Sequence, residues 1–194
     1  MIEYDARTAL IVTDIQNDFA DPRGSLYVTG GEEIVAGVNR EIEQAHEAEA
    51  LVVYTQDWHP ESTPHFQKDG GIWPVHCVRN TWGAEFCPGL RVEGSVVRKG
   101  TGGEDGYSGF TVRAPKSGER YPTELEVILR EHRIERLVLV GLATDYCVKE
   151  TGLDALRKGF QMVVLRDLVR GVNLQPGDDE RALAALKQEG ARVA

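Results

Sequence analysis

Ala9-Leu-Ile-Val-Thr-Asp14 and Leu137-Val-Leu-Val140 are the stretches whose reading decides the fold. Each is apolar at consecutive positions rather than at alternate ones. That pattern reads as a strand buried on both faces, the habit of parallel sheets covered by helices. Outward from these two, Leu51–Gln56, Ser95–Arg98, Gln161–Leu165 and Ala191–Ala194 read as further strands. Amphipathic stretches lie between them. Gly31–Glu47 puts Ile34, Val38, Ile42 and Ala45 on one helical face. Thr123–His132, Asp145–Lys158 and Asp178–Gln188 also read as helices. Thr123 is expected as an N-cap, with Glu126 closing a capping box. The alternation predicts an α/β fold with a mainly parallel sheet, helices on both faces and right-handed crossovers.

The chain has 194 residues and a net charge of −9. No linker separates two cores, so residues 1–194 read as a single domain. A folded chain of this mass should expose roughly 9,000 Å² and bury about 70% of its unfolded surface, so its core needs no covalent staple. An acidic chain without a basic run is a poor binder of nucleic acid or anionic membrane. The 41% hydrophobic fraction excludes wholesale disorder. Three cysteines, an odd number, argue against a disulfide framework and for a reducing compartment. No apolar run approaches the length of a membrane span, so a cytoplasmic protein is expected. The sequence is compatible with a homo-oligomer.

In a parallel α/β sheet, ligands sit beyond the carboxyl ends of the strands. Those ends deliver Asp14, then Asp57-Trp58-His59, then Arg98-Lys99-Gly100, then Gly141 to Cys147. Cys147 falls in the first turn of an expected helix. Free N–H groups and the helix dipole there favour a thiolate and can face an oxyanion. Asp14 is placed to take the thiol proton. Lys99 is placed to keep that carboxylate ionised. The plain alternative is that Cys147 is a small core residue. Cys77 and Cys87 have no such support and read as packing residues. Asp18 reads as a turn or cap residue.

The segment from Asp57 to Gly94 is rich in Pro, Gly, Trp and His, and a loop of that length in a small domain is usually functional. His59, His65 and His76 are three of the five histidines. A carboxylate with imidazoles suits Zn²⁺, Fe²⁺ or Mn²⁺ with open coordination positions. Asp57 and His59, two apart in an extended segment, point to one side. His46 and His132, on expected helices, read as surface residues. Trp58, Trp73 and Trp82 share the loop. They are either pocket walls for a flat ring or loop packing. Phe19, after Asp14, and Tyr107, in the stretch to Phe110, are further wall candidates.

These segments resemble the nicotinamidase branch of the isochorismatase-like cysteine hydrolases. The resemblance rests on Asp14-Ile-Gln-Asn-Asp-Phe19, Gln56-Asp-Trp-His-Pro60, Gly70-Gly-Ile-Trp-Pro-Val-His-Cys77, Lys99-Gly100 and Gly141-Leu-Ala-Thr-Asp-Tyr-Cys-Val148. It implies a three-layer α/β/α sandwich. Asp14, Lys99 and Cys147 then match the catalytic triad, and Asp57, His59 and His76 the metal ligands. His65 stands where some members carry an additional ligand and others do not. The resemblance further implies a cis bond before Ala143 and an oxyanion hole from the Ala143 and Cys147 N–H groups. Phe19 and Trp73 match the residues that sandwich the ring. One divalent ion per chain is implied, Zn²⁺ first and Fe²⁺ or Mn²⁺ as alternatives. The implied reaction is hydrolysis of nicotinamide, and also of pyrazinamide, through a cysteine thioester. Hydrolysis of a different small amide is the alternative within the fold. An enol-ether hydrolysis of the isochorismate type needs neither a cysteine nor the metal loop. A non-enzymatic metal-binding module is the remaining reading. Thr111–Glu119 matches nothing.

Overall fold

In the computed structural model, which describes residues 2–194, the opening apolar run is strand β1 (Thr8–Thr13), buried at every position. It pairs in parallel with β2 (Leu51–Asp57) on one side. Beyond β2 lies β3 (Ser95–Lys99). β4 (Thr111–Arg113) and β5 (Arg120–Pro122) form a separate antiparallel pair. β6 (Arg136–Leu142), β7 (Gln161–Arg170) and β8 (Arg192–Val193) complete the six-stranded sheet, in the order β3-β2-β1-β6-β7-β8. Every ladder in that sheet is parallel. The strand order reverses between β1 and β6. That switch point opens the crevice in which such sheets bind ligands.

Side chains alternate across β1. Leu10 and Val12 join one core with Val52, Tyr54, Val138 and Val140. Ala9 and Ile11 join the other with Val53, Leu137, Leu139 and Val164. The first core is covered by α2 (Val35–Glu47), entered through a 3₁₀ turn at Glu32–Ile34. Ile34 of that turn and Val38, Ile42 and Ala45 of α2 are buried, as the periodicity predicts. Each such Val or Ile contributes roughly 1.5–3 kcal/mol by leaving water. The second core is covered by α3 (Leu125–Glu131), α4 (Lys149–Arg157) and α5 (Asp178–Gln188), through Leu125, Leu129, Ala155, Leu183 and Leu186. The result is the expected three-layer sandwich, with an exposed surface of 9150 Å². A short helix α1 (Asn17–Ala20) follows β1 directly.

The structure departs from the sequence reading in particular elements. Thr123 is not the cap of α3: Glu124 holds that position without a side-chain cap bond, and Thr123, one residue earlier, accepts the Leu125 N–H at 3.2 Å through Oγ1. The capping box does not close, because the Thr123 N–H donates to Phe110 O and Glu126 pairs with Lys158 and Arg130. The stretch entered as a helix at Asp145 begins with a wide turn, Thr144–Val148, in which Tyr146 and Val148 N–H both donate to Ala143 O. β7 runs on to Arg170, past the end of its apolar stretch, because the register shifts between Leu139 and Gly141. Thr111–Glu119 holds β4 and the turn toward β5. Strand β8 is only two residues long. Among the described residues no helix is long and apolar enough to cross a membrane.

Candidate active site

Asp14 is the first residue past β1, and it leaves the strand with φ 48°. Its backbone N–H still reaches across to Thr55 O at 3.3 Å. Lys99 ends β3 and pairs in register with Asp57 at the end of β2. Cys147 stands beyond β6, on the far side of the switch point, preceded by a cis peptide bond between Leu142 and Ala143. Gly141 makes this approach feasible. Its φ is 111°, and a Cβ there would lie 2.1 Å from Thr13 O.

Four buried side chains meet at this edge. Lys99 Nζ lies 2.9 Å from Asp14 Oδ2 and 3.6 Å from Cys147 Sγ, and it also contacts Asp57 Oδ1. An oxygen of Asp14, an oxygen of Asp57 and Cys147 Sγ all lie within 4.8 Å of one another. Thr55 Oγ1 donates to Asp14 Oδ1 at 2.6 Å. Asp14 Oδ2 has the ion pair but no aligned hydrogen bond, so a lone pair on it stays open.

Burial raises the Asp14 carboxyl, with Lys99 opposing and Asp57 reinforcing the rise. Burial would lower the Lys99 ammonium, but the Asp14 and Asp57 carboxylates outweigh it and hold the ammonium charged. Burial pushes the Cys147 thiol well above its ordinary value, with Lys99 opposing. Burial therefore opposes the thiolate that the helix start favours. A helix terminus is worth about 0.3–1 kcal/mol, while full burial shifts an ionisable group by several pK units. A thiol raised in this way calls for a base beside it. Asp14, itself raised by the same burial, is matched to that task.

The histidine loop is pinned to α1. Asp18 Oδ2 accepts the Cys77 N–H at 2.7 Å, and its Oδ1 accepts the Ser25 N–H. Asn17 Nδ2 donates to Trp82 O. Gln16 replaces the ladder partner that β1 no longer supplies: its Oε1 accepts the Asp57 N–H at 2.8 Å and its Nε2 donates to Asp57 O at 2.7 Å. His59 is fixed between Cys77 O and the Arg79 N–H.

This scaffold brings His59, His65 and His76 together, one ring nitrogen of each within 4.8 Å of the others. Asp57 Oδ2 lies 3.7 Å from His59 Nε2 and 4.0 Å from His76 Nε2. Burial pushes His65 and His76 down to about 4, which keeps both imidazoles neutral. Both ring nitrogens of His59 are buried without a hydrogen-bond partner. His76 Nδ1 is 2.8 Å from Pro74 O, which leaves Nε2 facing inward. Buried unpartnered imidazole nitrogens beside a carboxylate are the donor set of a divalent metal site. Asp57 spans both centres, one oxygen toward Lys99 and one toward the histidines.

Between them opens a small, mostly apolar cavity. Cys147, Asp57, His65 and His76 supply its polar wall, with Ala143 beside the thiol. Phe19, Trp73 and Tyr107 line it, as expected, and Trp73 Nε1 donates to Tyr107 Oη at 3.0 Å. Trp58 and Trp82 do not line it. The Trp58 ring packs under the Arg98 guanidinium at 3.9 Å, and Trp82 lies under Arg23 at the surface. Leu26, Tyr146 and Val172 complete the wall and were missed. Tyr146 stood inside the quoted Gly141–Val148 motif, next to Cys147, and could have been found there. Leu26 and Val172 carry no local signal. Asp145 draws Val172 in by accepting its N–H at 2.9 Å and that of Asn173 at 2.8 Å. Cys77 and Cys87 are buried packing residues, and His46 and His132 are exposed, as read from the sequence.

Residues 8–194 match the isochorismatase domain family. The chain is 38% identical over 203 residues to the nicotinamidase of Escherichia coli K12, covering 95% of this chain and 93% of that protein. Its fold superposes on the pyrazinamidase of Pyrococcus horikoshii in complex with zinc with a TM-score of 0.86 at 43% identity, covering 97% and 98% of the two chains. It superposes on PnC1 from L. infantum in complex with nicotinate with a TM-score of 0.87 at 35% identity, covering 100% and 95%.

Proposed function

Because the chain belongs to the isochorismatase family, in the branch of nicotinamidases that hydrolyse linear amides, we propose that it converts nicotinamide to nicotinate and ammonia. The observation that carries this reading is the placement of Lys99 Nζ between Asp14 Oδ2 at 2.9 Å and Cys147 Sγ at 3.6 Å, beside a histidine trio in an aromatic-walled cavity.

Asp14 Oδ2 takes the proton from Cys147 Sγ as the sulfur attacks the carboxamide carbon. The C–S bond forms and the carbonyl electron pair moves onto oxygen. The backbone N–H groups of Ala143 and Cys147 are assigned to that oxygen. Asp14 then passes its proton to the amide nitrogen, the C–N bond breaks and ammonia leaves a thioester. Water, deprotonated by Asp14, adds to the thioester carbon. The thiolate leaves with that proton and nicotinate is released. Lys99 stays charged throughout and offsets the negative charge that moves between Asp14 and sulfur. Phe19 and Trp73 are assigned to the two faces of the ring, and Tyr107 holds Trp73 through its hydroxyl.

His59, His65 and His76, with Asp57, would hold one divalent ion, Zn²⁺ first. Such an ion would supply a Lewis acid for the substrate's ring nitrogen there. Pyrazinamide keeps that nitrogen and that shape and is an expected second substrate. The cytoplasm is the proposed compartment, in keeping with three unpaired cysteines.

The test is ammonia release by the purified, zinc-loaded protein. Turnover of both nicotinamide and pyrazinamide is expected. No ammonia from nicotinamide, with ammonia from another small amide, would move the reading to that amide. Pyruvate release from isochorismate would move it to the enol-ether reaction.

A further inference from the structure

We propose that Thr55 is a positioning residue for the Asp14 base, committing one carboxylate oxygen to its hydroxyl so that the other is the oxygen that exchanges the proton with Cys147. The inference rests on the reading of Asp14 as proton acceptor.

Thr55 is fully buried in the middle of the sheet, in register with Thr13 on β1. It holds the next residue of β1's chain twice. Its carbonyl accepts the Asp14 N–H at 3.3 Å, and its Oγ1 donates to Asp14 Oδ1 at 2.6 Å. The Thr55 methyl is held as well. A Cβ built on Gly109 would lie 3.0 Å from Thr55 Cγ2, so the methyl already fills that space. With the methyl seated, χ1 is set and the hydroxyl can only face Asp14.

The terminal torsion of an aspartate is broad and roughly two-fold, so nothing intrinsic distinguishes its oxygens. The environment does. Oδ1 is tied to Thr55, while Oδ2 shares Lys99 with the thiol. When the proton leaves Sγ for Oδ2, Oδ1 becomes the carbonyl oxygen of the neutral acid. It goes on accepting from the same hydroxyl. No bond to Thr55 is made or broken, and the proton remains on the oxygen that later returns it to the leaving nitrogen.

The test compares Thr55→Val, which removes the hydroxyl at nearly constant volume, with Thr55→Ser, which keeps it. Steady-state kinetics on nicotinamide, zinc content and the melting temperature are measured for each. Thr55→Val should lose kcat by about ten- to a hundredfold, the size of a small misplacement of a reacting group, with KM within about twofold of wild type and zinc content unchanged. Thr55→Ser should recover most of kcat. Unchanged kcat in Thr55→Val would overturn the inference. So would a Thr55→Ser variant as slow as Thr55→Val, since the methyl and not the hydroxyl would then matter. If the wild type itself releases no ammonia, the proposed function fails. The inference is then read from the rate of Cys147 alkylation by iodoacetamide. A slower rate in Thr55→Val, restored in Thr55→Ser, supports it, and equal rates overturn it.

Discussion

Cys147 and Asp14 show how burial alters a residue's chemistry without altering its identity. A cysteine at a helix start, taken alone, suggests a low-pKa thiol. Burial raises its thiol well above the ordinary value, with Lys99 opposing, and the nearby Asp14 is raised with it. In the proposed mechanism the pair works by proton exchange rather than by a standing thiolate. This gives a residue-scale prediction. Cys147→Ala should lower nicotinamide turnover by roughly 10⁴-fold or more, as nucleophile removal does elsewhere. Its zinc content, measured by atomic absorption, should equal that of wild type, because the histidine nitrogens do not depend on the sulfur. Loss of zinc in that variant would mean that the two centres are wrongly divided. The residue-scale reading from sequence reached Asp14, Lys99, Cys147, Asp57 and the three histidines, because each is a reactive type standing at a strand end or in one loop. It could not reach Leu26 or Val172, which are apolar side chains like many others until the chain folds them against the cavity.

At the scale of elements, the sheet edge is assembled by strands that stop at the right residue. β2 and β3 end in register at Asp57 and Lys99, and β1 ends one residue before Asp14. The turn after β3 is equally constrained. Gly100 has φ 75°, and a Cβ there would lie 2.5 Å from both Cε1 and Nδ1 of His59. Gly100→Ala should push the His59 ring aside and weaken zinc binding by about 10–100-fold, the usual effect of disturbing a ligand's support. Competition with a chromophoric chelator reads this directly, and far-UV circular dichroism should stay unchanged. Wild-type affinity in that variant would separate His59 from the metal set. Element positions were legible because apolar runs and helical periodicity are local properties of the chain. The open capping box and the extension of β7 were not, since each is decided by a partner from another part of the chain: Phe110 for the first and β6 for the second.

For the whole molecule, the proposed metal site is coupled to the fold. The histidines come from the loop between β2 and β3, and that loop is held by α1 rather than by strands of its own. An ion that binds only the folded chain stabilises it by about 2.7 kcal/mol when present at a hundred times its dissociation constant. For a chain of this size that corresponds to a rise of roughly 5–10 °C in Tm. Zinc addition to the chelated protein should produce this shift in a thermal melt, and Cys147→Ala should show the same shift. A Tm indifferent to chelation would mean that the trio does not hold a metal in the folded state.

The residues alone determined the layered α/β architecture, the strand ends that carry chemistry and the loop that carries the histidines, because burial pattern and residue type are written position by position. The tertiary structure alone decided which oxygen of Asp14 is open, that His65 joins His59 and His76, that Trp73 and not Trp58 or Trp82 walls the cavity, and that burial raises the thiol. Each of these depends on desolvation and on distances between residues far apart in the chain. Those quantities have no local signature and come into existence only when the sheet edge closes.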